Sequence, residues 1–219
     1  MQVFLAAVIG LGLAFLLWRQ WRMAESKRLQ RPMQLFATVQ GLFDSPSIEA
    51  SDAAGVWKLT GQYKGQIFQL KAIVDTLATR KLPSLWLMVT LPETQSVKAT
   101  LDLMMRPTGP STFSNFDFLP HTVKTPTGFP EHAVLRTDDP KKCPSAELLR
   151  PHLDLFETRA GKELLVSPRG LRVVVLVAEV DRLRYGVFRE ANFGDTVFDK
   201  DLVSECLETL LALKATLKP

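Results

Sequence analysis

The side chains best suited to metal or acid–base chemistry are three histidines. His121, His132 and His152 are spaced 11 and 20 residues apart. Zinc and metalloprotease motifs place His or Cys ligands at short fixed intervals, and no such spacing occurs around these three. We therefore expect each histidine to be solvated or satisfied in the core, and we predict no metal site and no cofactor.

The densest carboxylates also lack a ligand pattern. Asp138 and Asp139 precede Pro140, which is typical of a turn. Asp199 and Asp201 fall in the first turn of a predicted helix, where the helix dipole favours acidic residues. The spaced oxygen ligands of a calcium loop are absent from the sequence, as are the G-x-S-x-G, P-loop and G-x-G-x-x-G motifs. An enzyme whose site is assembled from distant residues remains open, since such a site leaves no linear motif.

Two further groups of residues have a structural and a functional interpretation. Cys143 and Cys206 lack CxxC spacing, and two free thiols are favoured over one disulfide. Residues 179–192 are rich in Arg, acidic and aromatic side chains, a composition that suits a docking surface. A charge-paired connection between a strand and a helix is the favoured interpretation of that segment.

The positive charge of the chain is concentrated near its N-terminus. The formal net charge is +4, with 27 basic and 23 acidic residues. Within residues 19–31, five basic residues face one acid, Glu25, so 5 − 1 = +4 and the remainder is neutral. The five are Arg19, Arg22, Lys27, Arg28 and Arg31. They follow an apolar segment directly, so we expect them to bind the lipid bilayer through its anionic headgroups, and we expect no nucleic acid partner.

That apolar segment predicts a membrane anchor. Residues 3–18 are all apolar or glycine, and with a bordering rim they reach the length of a transmembrane helix, over residues 1–21. A signal peptide is disfavoured because the border is bulky and basic. The charge asymmetry predicts an N-terminus outside and a cytoplasmic domain, typical of a single-pass protein of a bacterial inner membrane. Ala6, Gly10 and Ala14 share one helix face, which suits self-association or packing on a membrane-protein partner.

The rest of the chain predicts an α+β fold, a mainly antiparallel sheet with packed helices. Residues 22–50 are expected to form a basic juxtamembrane segment, a helix and a linker, and residues 51–219 a cytoplasmic domain. Hairpins are predicted around Lys64-Gly65 and Arg169-Gly170, with a central strand at 85–91 and a last helix at about 197–217. Residues 97–106 alternate as a strand with one buried face, and Asp102 lies on the other.

Several segments resemble an uncharacterised family of bacterial single-pass membrane-anchored proteins. They are Gly61-Gln62-Tyr63-Lys64-Gly65, Arg136-Thr137-Asp138-Asp139, Ala146-Glu147-Leu148-Leu149 and the hairpin at 164–177. The resemblance covers the C-terminal two-thirds of the chain. It implies the same architecture and a bacterial origin, and it implies no particular activity.

Taken together, these features favour a non-enzymatic membrane-anchored accessory or scaffolding protein, as a subunit of a larger complex. The alternative is a membrane-tethered enzyme or small-ligand sensor with a pocket in its α+β domain. Purification in mild detergent separates the two hypotheses, because a lone monomer would contradict the accessory protein and a bound metabolite would support the alternative.

Overall fold

The computed structural model describes residues 15, 18–19, 34–50, 56–75, 82–157, 160–183, 185, 191 and 193–217. Nine strands form one antiparallel sheet in the order β1-β2-β3-β4-β9-β8-β5-β7-β6. The strands are β1 Asp44–Ala50, β2 Trp57–Tyr63, β3 Gln66–Asp75, β4 Ser84–Leu91, β5 Leu101–Met105, β6 His121–Val123, β7 Ala133–Thr137, β8 Gly161–Ser167 and β9 Gly170–Glu179.

Among the described residues the helical content is small. Short 3-10 helices occupy Gln40–Leu42, Phe116–Phe118 and Ala146–His152, α1 spans Asp154–Glu157, and α2 spans Lys200–Thr216. The α+β prediction is therefore wrong, because the described part of the chain is a mainly β fold. Strands predominate because segments with alternating apolar residues pair into one continuous sheet. One long amphipathic helix is enough to cover one face of that sheet.

The predicted transmembrane helix is not supported. Over the described residues, no helix combines the length and the apolar character needed to cross a membrane. Of residues 1–21 the structure describes Phe15, Trp18 and Arg19, which are helical and exposed, and the rest of the predicted anchor lies outside the described residues.

Both predicted hairpins are present. Tyr63 pairs with Gln66 across the Lys64-Gly65 turn, and Ser167 pairs with Gly170 across the second turn. Lys64 and Gly65 both have positive φ, at 48° and 78°, the conformation that a two-residue hairpin turn with the right-handed twist of the strands requires. Asp44–Ala50 departs from the predicted linker, because this segment pairs with β2 as the edge strand β1.

One face of the sheet carries the main core. Alternate residues of the central strands, such as Leu87, Leu103 and Val173, are fully buried there. Helix α2 covers this face with an apolar stripe at helical spacing, formed by Val203, Cys206, Leu207, Leu210 and Leu213. The side chain of Asp199 caps the helix by accepting hydrogen bonds from the backbone N–H groups of Asp201 and Leu202.

The opposite face is covered by a loop, and it carries a second, smaller core. Residues 106–118, called the covering loop below, leave the end of β5 and return across the sheet to β6. Phe113 and Phe116 of this loop are buried against Met88, Met104 and Val174. Phe118 of the same loop is instead 77% exposed.

Candidate functional site

A cavity of about 520 Å³ lies between the covering loop and the sheet. It opens at the end of the sheet where β4 and β8 begin and where β5 and β9 end. Trp86, Met104, Phe113 and Leu176 form its apolar surfaces. Trp86 and Phe113 have their ring centroids 5.3 Å apart, so an aromatic contact joins the floor of the cavity to its cover.

The polar residues of the cavity wall are divided by charge. Asp75 on β3 and Glu179 on β9 flank Ser84 of β4, with which both are paired in register. Two basic residues, Arg106 and Lys162, lie on the β5 and β8 side of the same cavity. The sheet order therefore places these two acids on β3 and β9 and the two bases toward β5 and β8, and Asp117 of the covering loop adds a third acid to the lining.

Lys162 fixes the point where the covering loop leaves the sheet. Its Nζ donates to the backbone carbonyls of Met105, at 2.6 Å, and Arg106, at 3.0 Å. Arg106 has φ of 44°, a left-handed conformation that is unusual for a residue other than glycine. The backbone N–H of Arg106 donates to the carbonyl of His132, which is also left-handed with φ of 69°. The mouth of the cavity is thus formed by a tightly bonded, strained turn.

A buried polar cluster lies on the same face, behind the cavity. Glu163 of β8 is fully buried and forms a two-point ion pair with Arg172 of β9, with Nε to Oε2 at 2.8 Å and Nη2 to Oε1 at 3.0 Å. Ser114 of the covering loop donates its hydroxyl to Oε1 of Glu163, and the same Ser114 Oγ accepts from the backbone N–H of Phe116 at 3.0 Å. The cluster therefore ties the covering loop to the two strands beneath it.

Asp102 of β5 is the second acid in this cluster, with 1% of its surface exposed. Burial raises the pKa of Asp102 well above its usual range, and the charge of Glu163 and a side-chain hydrogen bond with Glu163 raise it further, while Arg172 opposes these effects. These effects favour the neutral form of Asp102. Oδ1 of Asp102 has no hydrogen-bond partner among the described residues.

Arg136 of β7 connects this cluster to the covering loop from the other side. Its Nη1 donates to the backbone carbonyls of Phe116, at 3.5 Å, and Asp117, at 3.1 Å. Its guanidinium lies over the Phe116 ring, 5.1 Å from the centroid. Arg136 is also the cross-strand partner of Asp102, yet its buried Nε has no hydrogen-bond partner in the described part of the chain.

The residues singled out from the sequence do not meet in this site. His121 and His132 are exposed, and His152 is buried near Thr216 of α2, with Nε2 and Oγ1 3.1 Å apart. Asp139 binds Lys142 in a surface turn. Cys143 is a half-buried and Cys206 a buried free thiol. No group of three or more His, Cys, Asp or Glu side chains suited to a metal occurs in the part of the chain that the structure describes.

The predicted membrane-contact and helix-packing residues stay untested. Arg19 is exposed, whereas Arg22, Lys27, Arg28 and Arg31 lie outside the described residues. Ala6, Gly10 and Ala14 also lie outside them, as does half of the polar segment at 179–192. What the sequence analysis missed is the cluster of Asp102, Glu163 and Arg172. The local signal was the presence of charged residues within three mainly apolar strands.

Comparison with known proteins places the chain in no family. No protein-family model matches it, and none of the curated proteins does. Among solved structures, it is similar to the crystal structure of the mycobacterial trehalose monomycolate transport factor A, TtfA. The sequence identity is 11% and the TM-score is 0.47, over 86% of this chain and 93% of that one.

Proposed function

We propose that this protein is a non-enzymatic small-ligand sensor that binds its ligand in the cavity beneath its covering loop. The observation that carries the proposal is the cavity itself, whose volume of about 520 Å³ falls in the usual range of ligand sites. Its lining combines apolar side chains around Trp86 with charged and hydroxyl side chains. A ligand with both apolar and polar parts would find partners for each in this cavity.

The wall of the cavity favours an amphipathic ligand. An apolar body would pack on Trp86 and Leu176 and so remove their surface from water. A cationic or hydrogen-bond-donating group would be favoured beside Asp75 and Glu179, and an anionic or accepting group beside Arg106. A ligand with an apolar centre and unlike polar ends fits this arrangement best.

The placement of the reactive groups supports binding over catalysis. Asp75 and Glu179 belong to strands on either side of β4, so their backbones are about 10 Å apart. Ser84, which lies between them, donates its hydroxyl to the backbone carbonyl of Leu82 at 3.4 Å. An activated serine instead donates to a general base. The most perturbed carboxyl, that of Asp102, lies behind the cavity and is not part of its lining.

A cavity-filling substitution tests the proposal. Leu176→Trp places an indole in the cavity, and Ile67→Trp adds the same side chain at a position of β3 that is 59% exposed. The purified full chain and both variants are screened by thermal unfolding against amphipathic molecules that carry an apolar chain or ring and one or two charged groups. Compounds that raise the Tm of the wild type and of Ile67→Trp, but not that of Leu176→Trp, support the proposal.

The opposite result is equally clear. If no compound stabilises the wild type, or if every stabilising compound also stabilises a correctly folded Leu176→Trp variant, the cavity is not the ligand site. Native mass spectrometry of the wild type purified from its expression host adds a second readout. A co-purified small molecule that is absent from Leu176→Trp and present in Ile67→Trp would identify the ligand directly.

A further inference from the structure

Arg136 lies between the backbone carbonyls of the covering loop and the side chain of Asp102, and it binds the carbonyls. Its Nη1 donates to the carbonyls of Phe116 and Asp117 in the covering loop. Asp102 lies directly opposite on β5, and residues opposed in this way have Cβ atoms about 5 Å apart. That separation is well within the reach of an arginine side chain. Both residues keep a buried polar atom without a hydrogen-bond partner among the described residues, Nε of Arg136 and Oδ1 of Asp102.

Unpartnered buried polar atoms are uncommon, and two on directly opposed side chains call for a physical reason. A neutral carboxylic acid is a weak acceptor for a guanidinium, whereas a carboxylate binds it strongly and in a two-point geometry. With Asp102 neutral, Arg136 is therefore free to hold the loop carbonyls. With Asp102 ionised, the same guanidinium is drawn to the carboxylate, which would satisfy both unpartnered atoms at once.

We propose that Arg136 is a switch between the covering loop and Asp102, and that ionisation of Asp102 releases the loop from the cavity. The transition needs no other reagent than the proton that leaves the Asp102 carboxyl for water. Asp102 loses its hydrogen bond with Glu163 together with the proton, and Arg136 exchanges its bonds to Phe116 and Asp117 for a charge-assisted pair with Asp102. The covering loop keeps the Ser114 bond to Glu163 and the packing of Phe113. Its second half, around Phe116 and Asp117, is therefore released first.

The charged groups around Asp102 fit this assignment. Glu163 on β8 faces it with a negative charge, Arg172 on β9 is committed to Glu163 by two hydrogen bonds, and Arg136 approaches from β7. Asp117, in the short helix Phe116–Phe118, is the acidic residue of the neighbouring part of the covering loop. Among these groups, Arg136 is the cation that is not already bound to a carboxylate in the described structure. It is therefore the group that responds when a second negative charge appears.

Amide hydrogen exchange of the full chain, without ligand, tests the switch. The backbone N–H groups of Phe116, Phe118 and Leu119 are bonded within the loop turn, and those of β9 serve as an internal reference. After correction for the intrinsic pH dependence of exchange, protection of the loop amides should fall at least about tenfold as the pH is raised until Asp102 ionises. Protection of the β9 amides should stay constant over the same range.

Two variants separate the switch from a general loss of stability. Asp102→Asn keeps a neutral polar group at all pH values, so loop protection should become independent of pH and remain high. Arg136→Gln removes the guanidinium, so protection should be low at every pH. Wild-type protection that does not change with pH, an Asp102→Asn variant that keeps the wild-type dependence, or an Arg136→Gln loop as protected as the wild type would each overturn the proposal. Because no ligand is involved, these outcomes are independent of the proposed binding function.

Discussion

Glu163 and Arg172 form a two-point ion pair across β8 and β9 on the loop-covered face of the sheet, where the acid is fully buried and the arginine side chain is 18% exposed. Their hydrogen bonds of 2.8 and 3.0 Å satisfy both carboxylate oxygens. A pair of this kind contributes little net stability compared with apolar residues of the same size, because both charges are desolvated. Loss of one partner is much more harmful, since the other charge stays buried.

Glu163→Ala should therefore destabilise the fold by about 3–5 kcal/mol. The double variant Glu163→Leu with Arg172→Met should lose clearly less, because it leaves no buried charge behind. Urea unfolding at constant pH measures both. Glu147→Ala at the exposed Arg150 pair is the matched control, and it should change stability little. A double variant as unstable as Glu163→Ala would show that Glu163 acts through something other than its charge.

Local sequence patterns located most strands correctly, and they failed where a distant segment decided the outcome. The hairpin turns at Lys64-Gly65 and at Gly170 follow from turn residues between alternating segments, which is a local property. Asp102 shows the limit. Alternation in residues 97–106 predicts that it lies opposite the buried side chains, and it does, but the covering loop buries that face as well. Nothing within the strand specifies which distant segment will lie on it.

The edge strand β1 illustrates the same limit in another form. Asp44–Ala50 contains Pro46 and three other turn-forming residues in its first half, a composition that predicts a linker. Its pairing with β2 includes a register irregularity between Asp44 and Ser47, and Ser45 has φ of 49°. These features are tolerated because an edge strand needs partners on one side only. The segment joins the sheet through backbone pairing with β2, which the pattern of side chains along the sequence does not reveal.

His152 should make the fold sensitive to acid. Burial lowers the pKa of His152, although Asp154 partly opposes that shift. The unfolded chain then binds a proton near pH 6.5 that the folded chain excludes, so stability is complete above that pH and is lost as the pH falls below it. When the pH is lowered from about 7.5 to about 5, the free energy of unfolding should fall less for His152→Gln than for the wild type. Urea unfolding at both pH values measures this, and His121→Gln at an exposed site should behave as the wild type does.

Gly170 is required by close packing as well as by its backbone conformation. A Cβ atom built there would lie 2.5 Å from the backbone oxygen of Leu91, at φ of 152°. Gly65 also has a positive φ, of 78°, but a Cβ atom would meet nothing within 4 Å. Gly65→Ala should therefore cost about 1–2 kcal/mol for its left-handed conformation, and Gly170→Ala clearly more. Equal losses in thermal or urea unfolding would mean that the contact with Leu91 relaxes without cost.

Phe113→Ala should detach the covering loop more than it unfolds the sheet. The Phe113 ring is buried against Trp86, and it contributes to the smaller of the two cores, so the main core beneath α2 is not affected. A buried Phe→Ala change costs about 3–5 kcal/mol where the whole structure must unfold to expose it. A loop that can open locally limits this loss, because the sheet stays folded while the loop amides exchange faster. We expect amide exchange in the covering loop to accelerate by at least about tenfold, while exchange in β4 and β9 changes by less.

Phe118→Ala is the matched control, since loss of the same ring at an exposed position of the same loop should leave both exchange rates unchanged. If exchange in the loop and in the sheet accelerated equally, the covering loop would be an integral part of the cooperative fold, and the cavity beneath it would be accessible only by unfolding.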